Sequence, residues 1–463
     1  MNQFRRRFWP RQALPGLLLL AGFLGGMIAA GSAHGQGVAQ GPPWHMLDAI
    51  LADIKPPSFP ERDFPITAHG AVEGGKQDCR EAVAKAIQAC HSAGGGRVVV
   101  PAGKWLVAGP IHLKSHVNLH LAEGAHVLFS PTFSDYLPNV LARFEGTEVM
   151  NYSPLIYALD QENIAITGSG TLDGQASAEN WWGWKTGGSD GDAGKLIAMA
   201  DKGIPPEQRV FGAGYHLRVN FIQPYRCKNL LIEGVHIVRS PMWEINPVLC
   251  KNVTVRGVSI SSHGPNNDGC NPESCNGVLI ENCTFDTGDD CIAIKSGRNA
   301  DGRRLATPSE NIVIRGCTMK DGHGGVTLGS EMSGGIRNVF VEDCYMSSPN
   351  LDRAIRLKSN SRRGGYLENL FVRNIEVGEV KEAVLHIDLR YMKETGDFNP
   401  TVRNIYLENV SSKKSEHPLY LLGIEAAPID NVVITNCRFE NADKPSVLEF
   451  VDSLLLRNVT QPN

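Results

Sequence analysis

The sequence predicts an all-β fold, a right-handed parallel β-helix with an N-terminal capping helix. Three observations carry that prediction: one octad recurs down the chain, its copies lie about one solenoid coil apart, and certain residue types return at fixed octad positions. The octad reads any residue, Asn, apolar, any, apolar, any, small or polar, apolar. It begins at Glu162 and again at Lys228, Lys251, Asn276, Glu310, Arg337, Glu368, Arg403, Asp430 and, degraded, Asp452. From 228 to 430 the starts are 23, 25, 34, 27, 31, 35 and 27 residues apart. Such periods mean a solenoid or a propeller, and the alternation of apolar positions marks one half-buried strand per copy. A propeller blade needs about four strands in some 40–50 residues. One strong strand per copy therefore favours coils that stack strand on strand.

The fixed positions fit that stacking. Asn at the second position (163, 229, 252, 311, 338, 369, 404, 431) predicts a side-chain ladder, because Asn tolerates left-handed backbone and bonds to its neighbours. Cys283, Cys317, Cys344 and Cys437 hold the eighth position, which is Val235, Val258, Ile375 or Val410 in other copies. A residue that interchanges with Val and Ile fills core, so the eleven cysteines predict buried free thiols rather than disulfides. Their spacing matches no compact zinc pattern.

Residues 1–39 read as a secretory signal peptide: Arg5, Arg6, Arg7 and Arg11 precede an apolar run from Leu14 to Ala30 and then small residues. Arg5-Arg6-Arg7-Phe8 also resembles a twin-arginine signal. Residues 40–463 then form a single β-helix domain, with 40–110 as N-terminal cap and first coils. Within it, Asp78 to Cys90 has helical apolar spacing, with Asp78 as N-cap and Gly94-Gly95-Gly96 as terminator. Val98 to Val100 and Val117 to Leu121 read as the first coils. Between the octads at 162 and 228 lie 66 residues, which places an insertion loop at about 175–215 holding Trp181, Trp182 and Trp184. Those rings either stack on a ligand or pack the loop onto the solenoid.

Loss of the four leader arginines, with no acids among residues 1–39, takes the formal charge from −4 to −8. That balance speaks against nucleic acid as a partner, and the leader is too short and glycine-broken for a membrane span. Residues 295–363 carry twelve Lys/Arg against seven Asp/Glu, a basic region suited to a polyanion.

Three carboxylates and an imidazole fall on consecutive copies of the repeat. Asp289 and His323 share one offset from their octad starts, Asp290 is one residue further, and Asp268 lies 21 residues before Asp289. Strands in adjacent coils are about 4.8 Å apart, so these groups should meet. Arg356 and Lys358 follow on the next coil. Paired carboxyl groups are what glycosidic cleavage commonly uses, one as acid and one as nucleophile or base, and mutual repulsion keeps one of them protonated.

Asn266-Asn267-Asp268-Gly269, Gly288-Asp289-Asp290-Cys291, Gly322-His323-Gly324 and Arg356-Leu357-Lys358 resemble the four signature motifs of glycoside hydrolase family 28, the polygalacturonases. Ser240-Pro241-Met242-Trp243 and Gly168 to Gly174 extend the likeness over about 65–450. The resemblance implies inverting hydrolysis of α-1,4-galacturonosidic bonds in pectic polysaccharide. By it, Asp289 is the general acid, Asp268 and Asp290 hold the attacking water, and His323 supports the acid. Arg356, Lys358, Lys295 and Asn266 would bind substrate, with no metal and no cofactor. The signal peptide predicts a periplasmic or extracellular protein, and a monomer is expected. Ile294-Lys295-Ser296-Gly297 and Gly329 to Gly335 resemble the exo-acting bacterial branch. The chain departs from the family in Asn267 of the first motif and in Asn271, where many members have another Asp. Rhamnogalacturonan or xylogalacturonan hydrolysis, a calcium-dependent pectate lyase and a non-catalytic polysaccharide-binding β-helix are the rival readings.

Overall fold

The computed structural model describes residues 43–461; the leader expected at 1–39 lies outside them. The right-handed parallel β-helix is present, and the octads set its register. Glu162 pairs with Lys228, Lys228 with Lys251, Lys251 with Asn276 and Asn276 with Glu310. The row continues through Arg337, Glu368, Arg403 and Asp430. Even the degraded last copy keeps register, with Val432 opposite Leu454.

The third octad position builds the core along this row. Ile164, Leu230, Val253, Val278, Ile312, Val339, Leu370, Ile405 and Val432 are all buried on the inner face. Each such side chain stabilises the coil by about 1.5–3 kcal/mol relative to exposure. All eleven cysteines are buried and unpaired. Besides the expected eighth-position stack there is another: Cys227, Cys250 and Cys275 each precede an octad, and the Cys227 amide donates to Cys250 Sγ at 3.4 Å.

The asparagine ladder is also present. Asn229 Nδ2 donates to Asn163 Oδ1 at 2.8 Å, and Asn338, Asn369, Asn404 and Asn431 continue the chain of donors at 2.8–3.2 Å. Every one has positive φ. A further ladder at the seventh octad position (Asn374, Asn409; Asn436, Asn458) was not expected from sequence. Asn369→Ala forfeits two hydrogen bonds and forces a Cβ residue without amide compensation into left-handed backbone. We expect a stability loss of about 2–3 kcal/mol, and a smaller one for Asn369→Gly, which keeps the backbone conformation. Thermal unfolding of the two variants against the parent checks this.

Helices complete the ends and flanks. The expected capping helix spans Arg80–Ser92 (α2), not from Asp78. Asp78 still serves its N-terminus: its Oδ1 accepts from the Arg80 amide, and it also holds the Ala108 amide, which pulls the carboxylate one residue outside the helix. An earlier helix, His45–Asp53 (α1), was not expected. Together with Trp44 it covers Leu279, Val313, Phe340 and Phe371 on the outer face. These are fourth octad positions that are apolar where water would otherwise meet them.

The insertion is not an irregular loop. It holds a 3-10 turn, Trp181–Lys185, and a helix, Ser189–Asp201 (α3). Trp181 is fully buried among Phe133, Tyr136, Tyr152 and Trp184. Trp182 Nε1 donates to the Ser240 carbonyl at 2.8 Å. Two of the three tryptophans are thus fastened to the solenoid, and Trp184 packs on Phe133. Packing decides between the two roles the sequence left open for them.

Candidate active site

The site lies at the entrance to a parallel sheet built from Ile292–Ile294, Val326–Gly329, Arg353–Lys358, Ala383–Asp388, His417–Leu422 and Val447–Glu449. Asp289 and Asp290 sit in the turn before the first of these strands, His323 before the second. Arg356 and Lys358 are on the third, pointing out on the same face. Glycines admit the close approach of these turns. A Cβ on Gly288 would stand 2.4 Å from the Gly264 carbonyl, and one on Gly324 would stand 2.3 Å from Thr327 Oγ1.

Asp289 and His323 meet as expected. The His323 amide donates to the Asp289 carbonyl, and His323 Nδ1 lies 2.9 Å from Asp289 Oδ1. The same Oδ1 accepts the Asp290 amide at 3.0 Å, which fixes the carboxyl plane. Asp289 Oδ2 has no hydrogen-bond partner among the described residues. That hydrogen bond to Asp289 holds the half-exposed His323 above the usual imidazole range, against the opposing effect of burial.

Asp268 is in register with Asp290, not with Asp289: the Gly269 amide donates to the Asp290 carbonyl, so the coil here spans 22 residues rather than the 21 inferred. Asp290 is completely buried. Thr327 Oγ1 donates to its Oδ1 at 2.9 Å, Arg356 lies 3.2 Å from Oδ1 and Lys358 2.7 Å from Oδ2. Burial alone would raise its pKa; Lys358, Arg356 and Lys295 outweigh it and hold the carboxyl well below the usual range.

Asp268 behaves oppositely. Burial and the neighbouring Asp289 charge push it up to about 8, against the pull of Lys295. Asn271, which stands where an acid is common in the resembling family, donates to Asp268 Oδ2 at 2.9 Å. The cluster therefore holds a proton at neutral pH, and holds it away from Asp290.

The remaining expected contacts divide. Lys295 lines the cleft but is buried between Glu331 at 3.1 Å and Asp268 at 3.6 Å, over the Trp243 ring. It acts there as a counter-charge. Asn266 has positive φ and accepts from Arg218 through its Oδ1 at 2.6 Å. Arg356 and Lys358 share Asp290 and lie 5.7 and 5.3 Å from the Tyr391 ring centre. Arg218 and Tyr391 were not singled out in sequence. Nor was Glu244, which is fully buried with neither carboxyl oxygen in hydrogen-bond geometry; burial and Asp268 push it well above the carboxylate range.

Asn266, Asp268, Asp289, Asp290, Lys295, His323, Arg356, Lys358 and Tyr391 line one cleft of about 540 Å³. Its lining also includes Asp190, Ala193 and Ile197 of α3, with Glu145, Arg298 and Arg362, and Arg362 reaches Asp201 of α3 at 3.3 Å. Among the described residues no helix is long and apolar enough to cross a membrane.

Clustered carboxyl groups, one of them an ion-paired anion, set in a polar groove along a solenoid, are the arrangement that a glycoside hydrolase uses. The chain belongs to glycosyl hydrolases family 28, whose model matches residues 215–454. A probable polygalacturonase from Vitis vinifera is 30% identical over 374 residues, covering 76% of this chain and 68% of the relative. An exo-poly-alpha-D-galacturonosidase from Dickeya chrysanthemi is 26% identical, covering 84% and 69%. The crystal structure of a hyperthermoactive exopolygalacturonase from Thermotoga maritima superimposes with a TM-score of 0.86 at 45% identity, covering 89% of this chain and 96% of that one.

Proposed function

We propose that this chain is an exo-acting polygalacturonase that removes galacturonate units from the end of polygalacturonate with inversion. One observation carries the reading: Asp289, paired with His323, faces a cleft whose other carboxylate, Asp290, is kept ionised by Arg356 and Lys358. Asp289 gives its proton to the glycosidic oxygen as the C1–O bond breaks. Water held between Asp268 and Asp290 attacks C1 from the opposite side and yields its proton to Asp290. The hydrogen bond to His323 orients Asp289. Arg356 and Lys358, two cations on one carboxylate, keep positive charge for the carboxylate of the sugar beyond the cut, and Tyr391 packs beside them.

The exo mode is supported by the likeness to exo-acting relatives and by α3, which with Arg298 and Arg362 lines the cleft beside the carboxyl groups. Export to the periplasm or exterior rests on the basic–apolar–small order of residues 1–39, and a monomer is the simplest state for a solenoid that carries all its site residues in one chain. Incubation with polygalacturonate and sizing of the products tests the function. Monogalacturonate alone, released first as the β-anomer, is expected. A ladder of oligomers would overturn the exo mode, and a chelator-sensitive unsaturated product would overturn hydrolysis.

A further inference from the structure

A second cavity, of about 520 Å³, adjoins the first over the coils that follow it in the chain. Arg356 and Tyr391 line both. Its floor is the same sheet face, one and two coils further on: Arg356 is in register with His386, and His386 with Tyr420. The His386 and Tyr420 rings stack at 5.0 Å and 4°, so they present their edges, not their faces, to the groove. His386 is 8% exposed, and its Nδ1 has no hydrogen-bond partner among the described residues. Burial, with Arg353 and Arg356 nearby, drives its pKa down to about 3, so the ring is neutral.

The charges here differ from those around Asp290. Arg356 and Lys358 share one carboxylate, a local balance of +1. The second cavity adds two cations, Arg353 and Lys444, against three acids, Glu382, Asp388 and Glu416, a balance of −1. Both cations are already engaged: Arg353 with Asp352 and Glu382, and Lys444 with Glu416 at 2.5 Å. His417, beside Tyr420, spends Nδ1 on the Pro445 carbonyl at 2.6 Å. Asp388, raised by burial, accepts the Arg390 amide. A carboxylate arriving here meets three acids and, apart from Arg356, which is turned to Asp290, only cations already paired with acids. A neutral sugar meets polar edges.

We infer that this cavity is a second subsite beyond the cut and that it selects an uncharged hexosyl unit, such as methyl-esterified galacturonate, through the His386 and Tyr420 edges. The inference rests on the exo reading above, which places the chain end under α3 and leads the rest of the polymer out over these coils. Its consequence is a substrate preference: the enzyme works on partly esterified pectin provided that the two units flanking the cut are free acids.

Three galacturonate substrates test it: the dimer, the trimer, and the trimer methyl-esterified only on its reducing-end unit. The dimer fills the two positions flanking the cut, and its hydrolysis reports on the function itself. Failure there overturns the proposed function rather than the subsite. The esterified trimer is expected to exceed the dimer by about tenfold in kcat/KM, since one or two good hydrogen bonds are worth that factor. It should match or exceed the free-acid trimer. His386→Ala and the milder Tyr420→Phe should each lower kcat/KM of the esterified trimer by about fivefold and that of the dimer by less than twofold. Glu416→Gln, which frees Lys444, should raise kcat/KM on the free-acid trimer while leaving the esterified one unchanged. The subsite is overturned if both trimers equal the dimer or if His386→Ala and Tyr420→Phe cost every substrate alike. Its preference for a neutral unit is overturned if esterification costs tenfold or if Glu416→Gln leaves the ratio of the trimers unaltered.

Discussion

Asp289→Asn lowers kcat on polygalacturonate by roughly a thousandfold or more, within the range that positioned acid–base groups supply. The fold should survive, because the Asn Oδ1 can still accept the Asp290 amide and face His323 Nδ1, the contacts that now orient the carboxyl. Only the proton is removed. A galacturonosyl fluoride, whose leaving group needs no proton, should therefore be hydrolysed by the variant within about tenfold of the parent rate. The pH dependence gives an independent reading. Asp268, up to about 8, keeps its neutral form at neutral pH. For a carboxyl whose folded pKa is raised, the protonated state persists below that value, while the stability it confers is complete only below the unfolded pKa of about 3.9 and is lost as pH rises from there through the folded one. On the natural substrate kcat/KM of the parent should therefore fall as pH rises past about 8, when the cluster loses its retained proton. In the variant acting on the fluoride that fall should come at lower pH, because the Asp289 charge that helps to raise Asp268 is gone. Unchanged activity of Asp289→Asn on polygalacturonate would remove Asp289 from the donor role.

Register was the most legible part of this protein. A strand that repeats with one buried face can pair with its neighbour in only one frame without turning its apolar residues outward, so aligned octads became aligned coils from 162 to 452. The same alignment brought Asp289 to His323. It misplaced Asp268 by one residue because Asp268 and Asp290 lie outside the strands, next to the isolated bridge of Cys270 with Ile292, where no apolar alternation fixes the frame. The long-range closures left weaker signals. α1 covers Leu279, Val313, Phe340 and Phe371, whose unusual apolarity at the fourth octad position was visible, but nothing in it named the segment that covers them. The roles of Lys295 and Arg218 depend on which acid or carbonyl each finally meets, Glu331 and Asp268 for one, Pro265 and Asn266 for the other. Such partners come from loops whose paths a repeat pattern does not determine. The tryptophans of the insertion failed for the same reason: an aromatic cluster reads alike whether its counterpart is a sugar or Phe133.

Asp290→Asn should separate the two adjacent carboxylates most sharply, because it costs stability as well as activity. Asp290 is the only acid within ion-pair distance of either Arg356 or Lys358 among the described residues, at 3.2 and 2.7 Å, and all three side chains are nearly or wholly buried. An amide leaves two cations close together without compensation. Breaking a buried pair by removing one partner costs about 3–5 kcal/mol, so the variant should unfold at clearly lower temperature than either the parent or Asp289→Asn. Its kcat should fall by about a hundredfold to ten-thousandfold through loss of the base. The sign of the pH effect on stability distinguishes this from a general loosening. A carboxyl held below its unfolded pKa contributes stability that is present above that value, about 3.9 for Asp, and is lost as pH falls through the folded one. The parent should lose this contribution in acid, whereas Asp290→Asn has none to lose, so the difference between them should narrow as pH falls below about 4. A constant difference across that window would mean that Asp290 is not the anion that holds Arg356 and Lys358 in place.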